Sequence, residues 1–129
     1  MPHRLYLVED HPAMRGAYEA LIARSPSLDL CGTAVTAEEA LDHLGQLDCD
    51  VFVTDVTLPG MDGVALTSRV AQEKPGLPIV VVSVDEGHRM RALEAGARTF
   101  LSKNGLARTL IPTVLDILNG SQAGTLSTA

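Results

Sequence analysis

A carboxylate at the end of a short apolar run is the group in this sequence best placed for chemistry. Residues 50–63 read Asp-Val-Phe-Val-Thr-Asp-Val-Thr-Leu-Pro-Gly-Met-Asp-Gly, and the apolar run stops at Asp55. Apolar residues without polar alternation are typical of a strand covered on both faces. Ligands bind at the carboxyl ends of such strands in parallel sheets. Asp55 is therefore a candidate functional residue, although capping a helix or stabilising a turn is an equally common role for Asp here.

Three further apolar runs end in polar or charged residues. Glu9 and Asp10 follow the first predicted strand, Ser83 closes the fourth, and Lys103 follows the fifth. Taken singly, each has an ordinary structural explanation, such as a cap, a local hydrogen bond or a solvated charge. In a parallel sheet, however, the carboxyl ends of the strands lie at one edge. We therefore expect these four residues to gather around Asp55.

Three carboxylates at one edge require a positive partner. Two carboxylates about 4 Å apart repel each other by roughly 4 kcal/mol at an effective dielectric constant of 20. Mg²⁺, which prefers oxygen ligands, fits such a site, and Lys103 provides a second positive charge. A carboxylate in this setting can attack phosphorus, and phosphoryl transfer depends mainly on positioning and charge neutralisation. The residues thus predict that Asp55 is the nucleophile and that Ser83 donates to the attached phosphoryl group.

The elements that must position these residues alternate strictly between strand and helix. Apolar runs predict five strands, and apolar residues at three- and four-residue spacing predict five intervening helices. The predicted strands cover residues 5–8, 28–34, 51–55, 79–83 and 99–102. Short connections favour a single doubly wound α/β fold, an open parallel sheet with helices on both faces.

Some helix ends are also predicted by the sequence. Asp10 is a candidate N-cap for the first helix, with Pro12 in its first turn. Thr36 and Glu39 form a capping-box pattern for the second helix. Because proline disrupts a helix interior, Pro112 predicts that the last helix begins near Thr109.

Length and composition favour one folded domain. The chain has 129 residues, of which 46% are hydrophobic. These values predict a domain over residues 1–120, followed by a flexible tail or linker stub over residues 121–129. Cys31 and Cys49 lack metal-ligand spacing, so they are predicted to be small buried apolar residues.

Charge and hydropathy exclude several functional classes. The net charge of −6 and the absence of a basic cluster or helix-turn-helix argue against direct binding of nucleic acid. No window approaches the ~20 apolar residues of a membrane span, and the first residues leave no room for a signal peptide. The sequence therefore predicts a cytoplasmic location.

Several motifs together are similar to those of a known family. They are Val-Glu-Asp-His-Pro at 8–12, Thr-Asp-Val-Thr-Leu-Pro-Gly-Met-Asp-Gly at 54–63, Ser83, Ala-Gly-Ala at 95–97, and Phe-Leu-Ser-Lys at 100–103. From Leu5 to about Gly120, the chain resembles the receiver domain of two-component response regulators. Glu-Asp-His-Pro and Pro-Gly-Met-Asp-Gly look most like the NarL type.

The resemblance implies a flavodoxin-like fold with strand order 2-1-3-4-5 and a signalling function. Asp55 would accept a phosphoryl group from a sensor histidine kinase or a phosphotransfer protein. Mg²⁺ would be held by Asp10, Asp55 and the backbone carbonyl of Thr57, with Glu9 acting through water. The chain would then assist its own phosphorylation and dephosphorylation without being a multiple-turnover enzyme.

The resemblance also implies how the signal is read. Ser83 and Phe100 match the family's switch pair, and Thr57 and Asp85 match positions that tune dephosphorylation. Phosphorylation would change the surface of helix 4, strand 5 and helix 5, which controls an output domain or partner, in the NarL type a transcriptional one. The same face offers a surface for a homodimer. Residues 83–96 are about two residues shorter than usual, which predicts a reduced or reoriented fourth helix.

Two other functions fit parts of the same pattern. A degenerate receiver would act as a binding module without phosphorylation. A small phosphatase of the haloacid-dehalogenase type also uses an Asp at a strand end as its nucleophile, but it places a second Asp two residues later. Thr57 occupies that position in this chain.

Overall fold

The computed structural model describes residues 2–120 as alternating strands and helices. The strands are β1 (His3–Val8), β2 (Leu28–Ala34), β3 (Val51–Asp55), β4 (Ile79–Ser83) and β5 (Thr99–Ser102). The helices are α1 (Pro12–Ala23), α2 (Ala37–Leu44), α3 (Gly63–Glu73), α4 (Arg89–Ala95) and α5 (Leu106–Leu118). A single 3₁₀ turn, Glu86–His88, precedes α4. The predicted tail at 121–129 lies outside the described residues.

The five strands form one parallel sheet in the order β2-β1-β3-β4-β5. The predicted doubly wound fold and its strand order are therefore confirmed. Every residue of β3 and β4 is buried, as the uninterrupted apolar runs predict for strands covered on both faces. The carboxyl ends of β1, β3, β4 and β5 consequently lie side by side.

Side chains alternate between two separate cores, one on each face of the sheet. Leu7, Val53 and Val82 face α1 and α5. Tyr6, Phe52 and Val81, along with the other residues of alternate parity, pack with α2, α3 and α4. Since successive strand residues point to opposite faces, the parity of a residue at a strand end decides which helices it meets.

The ends of three helices test the predictions from sequence. The capping box of α2 is confirmed, because Thr36 Oγ1 accepts a hydrogen bond from the Glu39 backbone N–H at 3.0 Å. The prediction that Asp10 caps α1 is wrong: His11 is the N-cap residue and makes no side-chain cap. The predicted start of the last helix near Thr109 is also wrong, since α5 begins at Leu106.

Pro112 lies inside α5 and not in its first turn. Its ring points away from both cores, since Pro112 is exposed while Leu110 and Val114 are buried. The helix continues because Leu106, Leu110 and Val114 bury one face against the sheet. Tertiary packing thus outweighs the backbone hydrogen bond that proline removes.

Candidate functional site

Three carboxylates meet at the carboxyl edge of the sheet. Glu9 and Asp10 follow β1 and Asp55 ends β3; each offers an oxygen, and these oxygens lie within 4.8 Å of one another. Glu9 and Asp55 are almost inaccessible, with 0% and 4% of their surface exposed, whereas Asp10 is exposed. Burying two acids side by side is costly unless they are neutralised. The structure thus brings together the three acids predicted from sequence.

Lys103 supplies the neutralising charge expected from sequence. Its Nζ donates a hydrogen bond to Asp55 Oδ2 at 2.8 Å and lies 3.5 Å from Glu9 Oε1. The backbone N–H of Lys103 donates to the Ser83 carbonyl at 2.9 Å, which fixes the start of the side chain against β4. The ammonium group is therefore held between the two buried acids.

Burial and the neighbouring negative charge make ionisation of Glu9 unfavourable. Burial, and then the charge of Asp55, raise the pKa of Glu9, although the His11 backbone N–H and Lys103 partly oppose this. Burial acts to lower the pKa of Lys103, but its hydrogen bond to Asp55 and the charges of Asp55 and Glu9 raise it overall. The lysine is consequently charged at neutral pH, and the ionised form of Glu9 is held at a cost.

Backbone contacts fix the loops that carry these residues. The His11 N–H donates to Glu9 Oε2 at 3.1 Å, and Arg15 Nη1 donates to the carbonyls of Glu9 and Asp10. After β3, the Gly63 N–H donates to the Val56 carbonyl at 2.8 Å. The two acidic segments are therefore held by hydrogen bonds to residues nearby in the sequence.

An open cavity of about 350 Å³ lies over the three acids. It is lined by the acids and Lys103 on one side and by loop residues on the other: His11, Met14, Thr57 and Val84. Val84 is 67% exposed, so its side chain stands at the mouth of the cavity. Thr57, whose carbonyl is expected to bind metal, lies in the same lining.

Ser83 lies at this edge but does not line the cavity. Ser83 is buried, and it points to the same face of β4 as Ile79 and Val81, which face α3 and α4. Its Oγ accepts a hydrogen bond from the Asp85 backbone N–H at 3.0 Å and lies 3.0 Å from His88 Nδ1. The hydroxyl expected to meet a phosphoryl group is therefore engaged by the segment before α4.

Asp85 and Phe100 also belong to the α4 side of the sheet. Asp85 caps the 3₁₀ turn, since its Oδ1 accepts from the Gly87 N–H at 2.8 Å, and it is absent from the cavity lining. Phe100 is buried, with the Arg89 guanidinium 4.9 Å from its ring centroid. The expected switch pair thus contacts two consecutive residues, His88 and Arg89.

Sequence reasoning missed two residues near the site. His88 looked like one of four scattered histidines, and only the 3₁₀ turn brings its ring to Ser83. Tyr18 fits the apolar face of α1, but its buried hydroxyl has no hydrogen-bond partner among residues 2–120. Burial, and then the charges of Glu9 and Asp55, raise the pKa of Tyr18. A helical apolar pattern cannot distinguish this tyrosine from a phenylalanine.

The residues of the acidic cluster fit a divalent cation. Three carboxylates and one ammonium leave a formal charge of −2, which calls for a further positive charge. Within residues 2–120, Glu9 Oε1 is a buried acceptor that receives no hydrogen bond, because Lys103 approaches it at ion-pair distance only. Oxygen ligands of this kind are those that Mg²⁺ prefers.

Comparison with known proteins identifies the family. A model of the response regulator receiver domain matches residues 5–115. The chain belongs to this family. Among solved structures, a LuxR-family two-component response regulator from Aurantimonas sp. SI85-9A1 superposes with a TM-score of 0.87 at 30% identity, covering 93% of this chain and 87% of the other. The signal receiver domain of the putative response regulator NarL from Mycobacterium tuberculosis gives 0.84 at 26% identity, with coverages of 92% and 98%.

Curated relatives of this receiver domain are longer proteins. The nitrate/nitrite response regulator NarL of Escherichia coli (strain K12) is 30% identical over 105 residues, which are 80% of this chain and 49% of NarL. A protein-glutamate methylesterase/protein-glutamine glutaminase of Syntrophus aciditrophicus is 36% identical over 109 residues, 81% of this chain and 31% of that protein. The chain thus spans half or less of these relatives' length. No helix within residues 2–120 has the length and hydropathy needed to cross a bilayer.

Proposed function

We propose that this receiver domain is a signalling switch in which Asp55 accepts a phosphoryl group. The observation that carries the proposal is the 2.8 Å contact between Lys103 Nζ and Asp55 Oδ2, within a cluster of three carboxylates that line a cavity. The donor would be a phosphohistidine of a sensor histidine kinase or phosphotransfer protein. The acting domain would cover residues 1–120, and its cellular location would be the cytoplasm.

The proposed step is an in-line transfer. An Asp55 carboxylate oxygen bonds to phosphorus as the nitrogen–phosphorus bond breaks, and the imidazole nitrogen keeps that electron pair. Lys103 then exchanges an Asp55 oxygen for a phosphoryl oxygen as its partner. Glu9, Asp10, Asp55 and the Thr57 carbonyl would hold Mg²⁺, which when bound neutralises the acids and the incoming phosphoryl oxygens.

Read-out of the phosphorylated state is assigned to the β5 edge of the sheet. Ser83 and Phe100 would respond to the phosphoryl group and alter the surface of α4, β5 and α5, which would bind an output domain, a partner or a second copy of this chain. The NarL relative makes transcriptional output the favoured choice. Thr57 in the cavity lining and Asp85 next to Ser83 would tune the rate at which the phosphoryl group on Asp55 is hydrolysed.

Intact mass measurement tests the proposal. Incubation with acetyl phosphate and Mg²⁺ should add one phosphoryl group, and both Asp55→Asn and chelation of Mg²⁺ should abolish the addition. Asp42→Asn is the matched control, since it removes an exposed carboxylate on α2 and should phosphorylate normally. Failure to accept phosphate from acetyl phosphate or phosphoramidate would contradict the proposal and favour a phosphorylation-independent binding module. Repeated turnover of a phosphomonoester would favour a phosphatase.

A further inference from the structure

The Ser83 hydroxyl has one proton to donate. His88 and a phosphoryl group on Asp55 would compete for it. The backbone N–H of Asp85 donates to Ser83 Oγ, so it occupies one lone pair of the oxygen. Its other hydrogen-bond partner among the described residues is His88 Nδ1 at 3.0 Å. The tautomer of His88 then decides whether the hydroxyl proton is donated or free.

The position of Asp85 favours the tautomer of His88 in which Nδ1 accepts a hydrogen bond. His88 Nε2 lies 4.0 Å from Asp85 Oδ2, and a proton on Nε2 faces that carboxylate favourably. Nδ1 is then unprotonated, and the Ser83 hydroxyl donates to it. The Asp85 carboxylate is itself fixed by the Gly87 N–H at 2.8 Å, so the geometry of the turn sets the direction of the bond.

A hydroxyl that donates to His88 cannot donate the same proton to a phosphoryl group. Ser83 is buried on the α4 side of the sheet, and His88 is half-buried beside it. A phosphoryl oxygen on Asp55 would therefore receive this proton only after the Ser83–His88 bond breaks. That break releases the residue immediately before α4.

The next residue links the same segment to the other half of the switch pair. The Arg89 guanidinium lies 4.9 Å from the Phe100 ring centroid, and its Nη1 lies 3.5 Å from the Phe100 carbonyl. Arg89 is also paired with Glu86 at 2.9 Å within the turn. Movement of His88 would thus be transmitted to the contact that covers Phe100.

From these contacts, and resting on the proposed phosphorylation of Asp55, we infer that His88 is a positioning residue that competes with the phosphoryl group for the Ser83 hydroxyl. His88 stabilises the unphosphorylated state, and its release frees the turn before α4. A net hydrogen bond corresponds to roughly a two- to tenfold change in an equilibrium constant. Loss of the His88 side chain should therefore favour the phosphorylated state by about that factor.

Titration with beryllofluoride and Mg²⁺ tests the competition. The full chain, labelled with ¹⁵N, is titrated while backbone amide signals around Asp55 are recorded. His88→Leu should reach half-saturation at about two- to tenfold lower beryllofluoride than the wild type. His88→Asn, whose amide reaches the same position as Nδ1, should restore the wild-type value. Gln72→Leu, an exposed change in α3 outside the α4, β5 and α5 surface, is the control and should leave it unaltered.

The Ser83→Ala background separates this role from a general effect on folding. There, His88→Leu should cause no further change, because the hydroxyl that it would release is absent. An equal shift in both backgrounds would overturn the inference, as would an unchanged or weaker affinity for His88→Leu. Failure of the wild type itself to bind beryllofluoride would instead overturn the proposed function, and this inference with it.

The imidazole signals of His88 provide a measurement in the otherwise native protein. We expect a proton on Nε2 and an Nδ1 shift typical of a hydrogen-bond acceptor. Both Ser83→Ala and saturation of the wild type with beryllofluoride should move Nδ1 to the shift of a nitrogen without that bond. A proton on Nδ1 would overturn the inference. So would an Nδ1 chemical shift that stays the same in Ser83→Ala and at saturation with beryllofluoride.

Discussion

At the scale of single residues, the site is defined by one cation shared between two buried acids. Lys103 makes its short contact with Asp55, while one oxygen of Glu9 receives no hydrogen bond from the part of the chain that the structure describes. An unpaired buried acceptor costs free energy, of the order of 1–3 kcal/mol. Glu9 is therefore a source of instability that the site retains for its charge.

Replacing Glu9 by Gln should stabilise the protein at neutral pH in metal-free buffer. The pKa of Glu9 is raised in the folded state, so folding favours its protonated form. Its stabilising contribution is fully present below the unfolded pKa and is lost as pH rises through the folded pKa. Glutamine keeps the shape of the side chain without an ionisable proton, so Glu9→Gln should raise the free energy of unfolding above the unfolded pKa of Glu9.

Urea unfolding at several pH values measures this difference. The advantage of Glu9→Gln should shrink as pH falls and should vanish below the ordinary range of a carboxyl group, where Glu9 is protonated in both states. Glu19→Gln, an exposed change on α1, is the control. An advantage that stays constant with pH would show that ionisation of Glu9 is not its cause.

At the scale of elements, the start of α3 presses against the end of β3. A Cβ atom on Gly63 would overlap the Asp55 carbonyl oxygen and approach Val56 Cα to 2.9 Å. Both neighbours are backbone atoms, which cannot rotate away. The glycine therefore allows the helix to begin directly beneath the strand that carries Asp55.

Gly63→Ala should destabilise the fold and disturb the site together. Overpacking typically costs about 1–3 kcal/mol, which exceeds the helix propensity that alanine gains. Gly16→Ala on α1 is the matched control, because within residues 2–120 its Cβ would meet no atom closer than 4 Å apart from the adjacent backbone of its own helix, and it should stabilise by about 0.5–1 kcal/mol. Urea unfolding gives both values. Equal stabilisation of both variants would contradict the close approach of Gly63 to the backbone of Asp55 and Val56.

The elements themselves were largely predictable, because apolar runs and caps are local signals. All five strands and the capping box at Thr36 follow from such patterns. The start of α5 was not predictable, since Pro112 is unfavourable locally and is tolerated through the packing of Leu110 and Val114. The contact of His88 with Ser83 depends on the turn between them, which no residue spacing indicates.

At the scale of the whole molecule, the topology brings three distant segments of the sequence into one site. Asp10 and Lys103 are 93 positions apart in the sequence, yet both line one cavity. The sequence predicted this meeting because parallel strands share an edge. It could not predict which oxygens remain unpaired, since that depends on side-chain positions across three loops.

Mg²⁺ should stabilise the folded chain as a whole. A ligand that binds only the native state adds about 2.7 kcal/mol at a hundred times its dissociation constant. Urea midpoints should therefore rise with Mg²⁺ and return after chelation, and Asp10→Asn should weaken the response. Sodium chloride at matched ionic strength controls for screening of the net charge of −6. The same gain with sodium chloride, or in Asp10→Asn, would contradict binding at the acidic cluster.

The alternation of side chains along the strands places the acidic cluster and Ser83 on different faces of the sheet. Glu9 and Asp55 continue the rows of Leu7 and Val53, whereas Ser83 continues that of Val81. In the proposed switch, a change at Asp55 would therefore reach α4 around the end of the sheet, through the turn before α4, because the tightly packed interior separates the two layers. Conservative substitutions deep in that interior should shift the melting temperature and leave signal transmission intact.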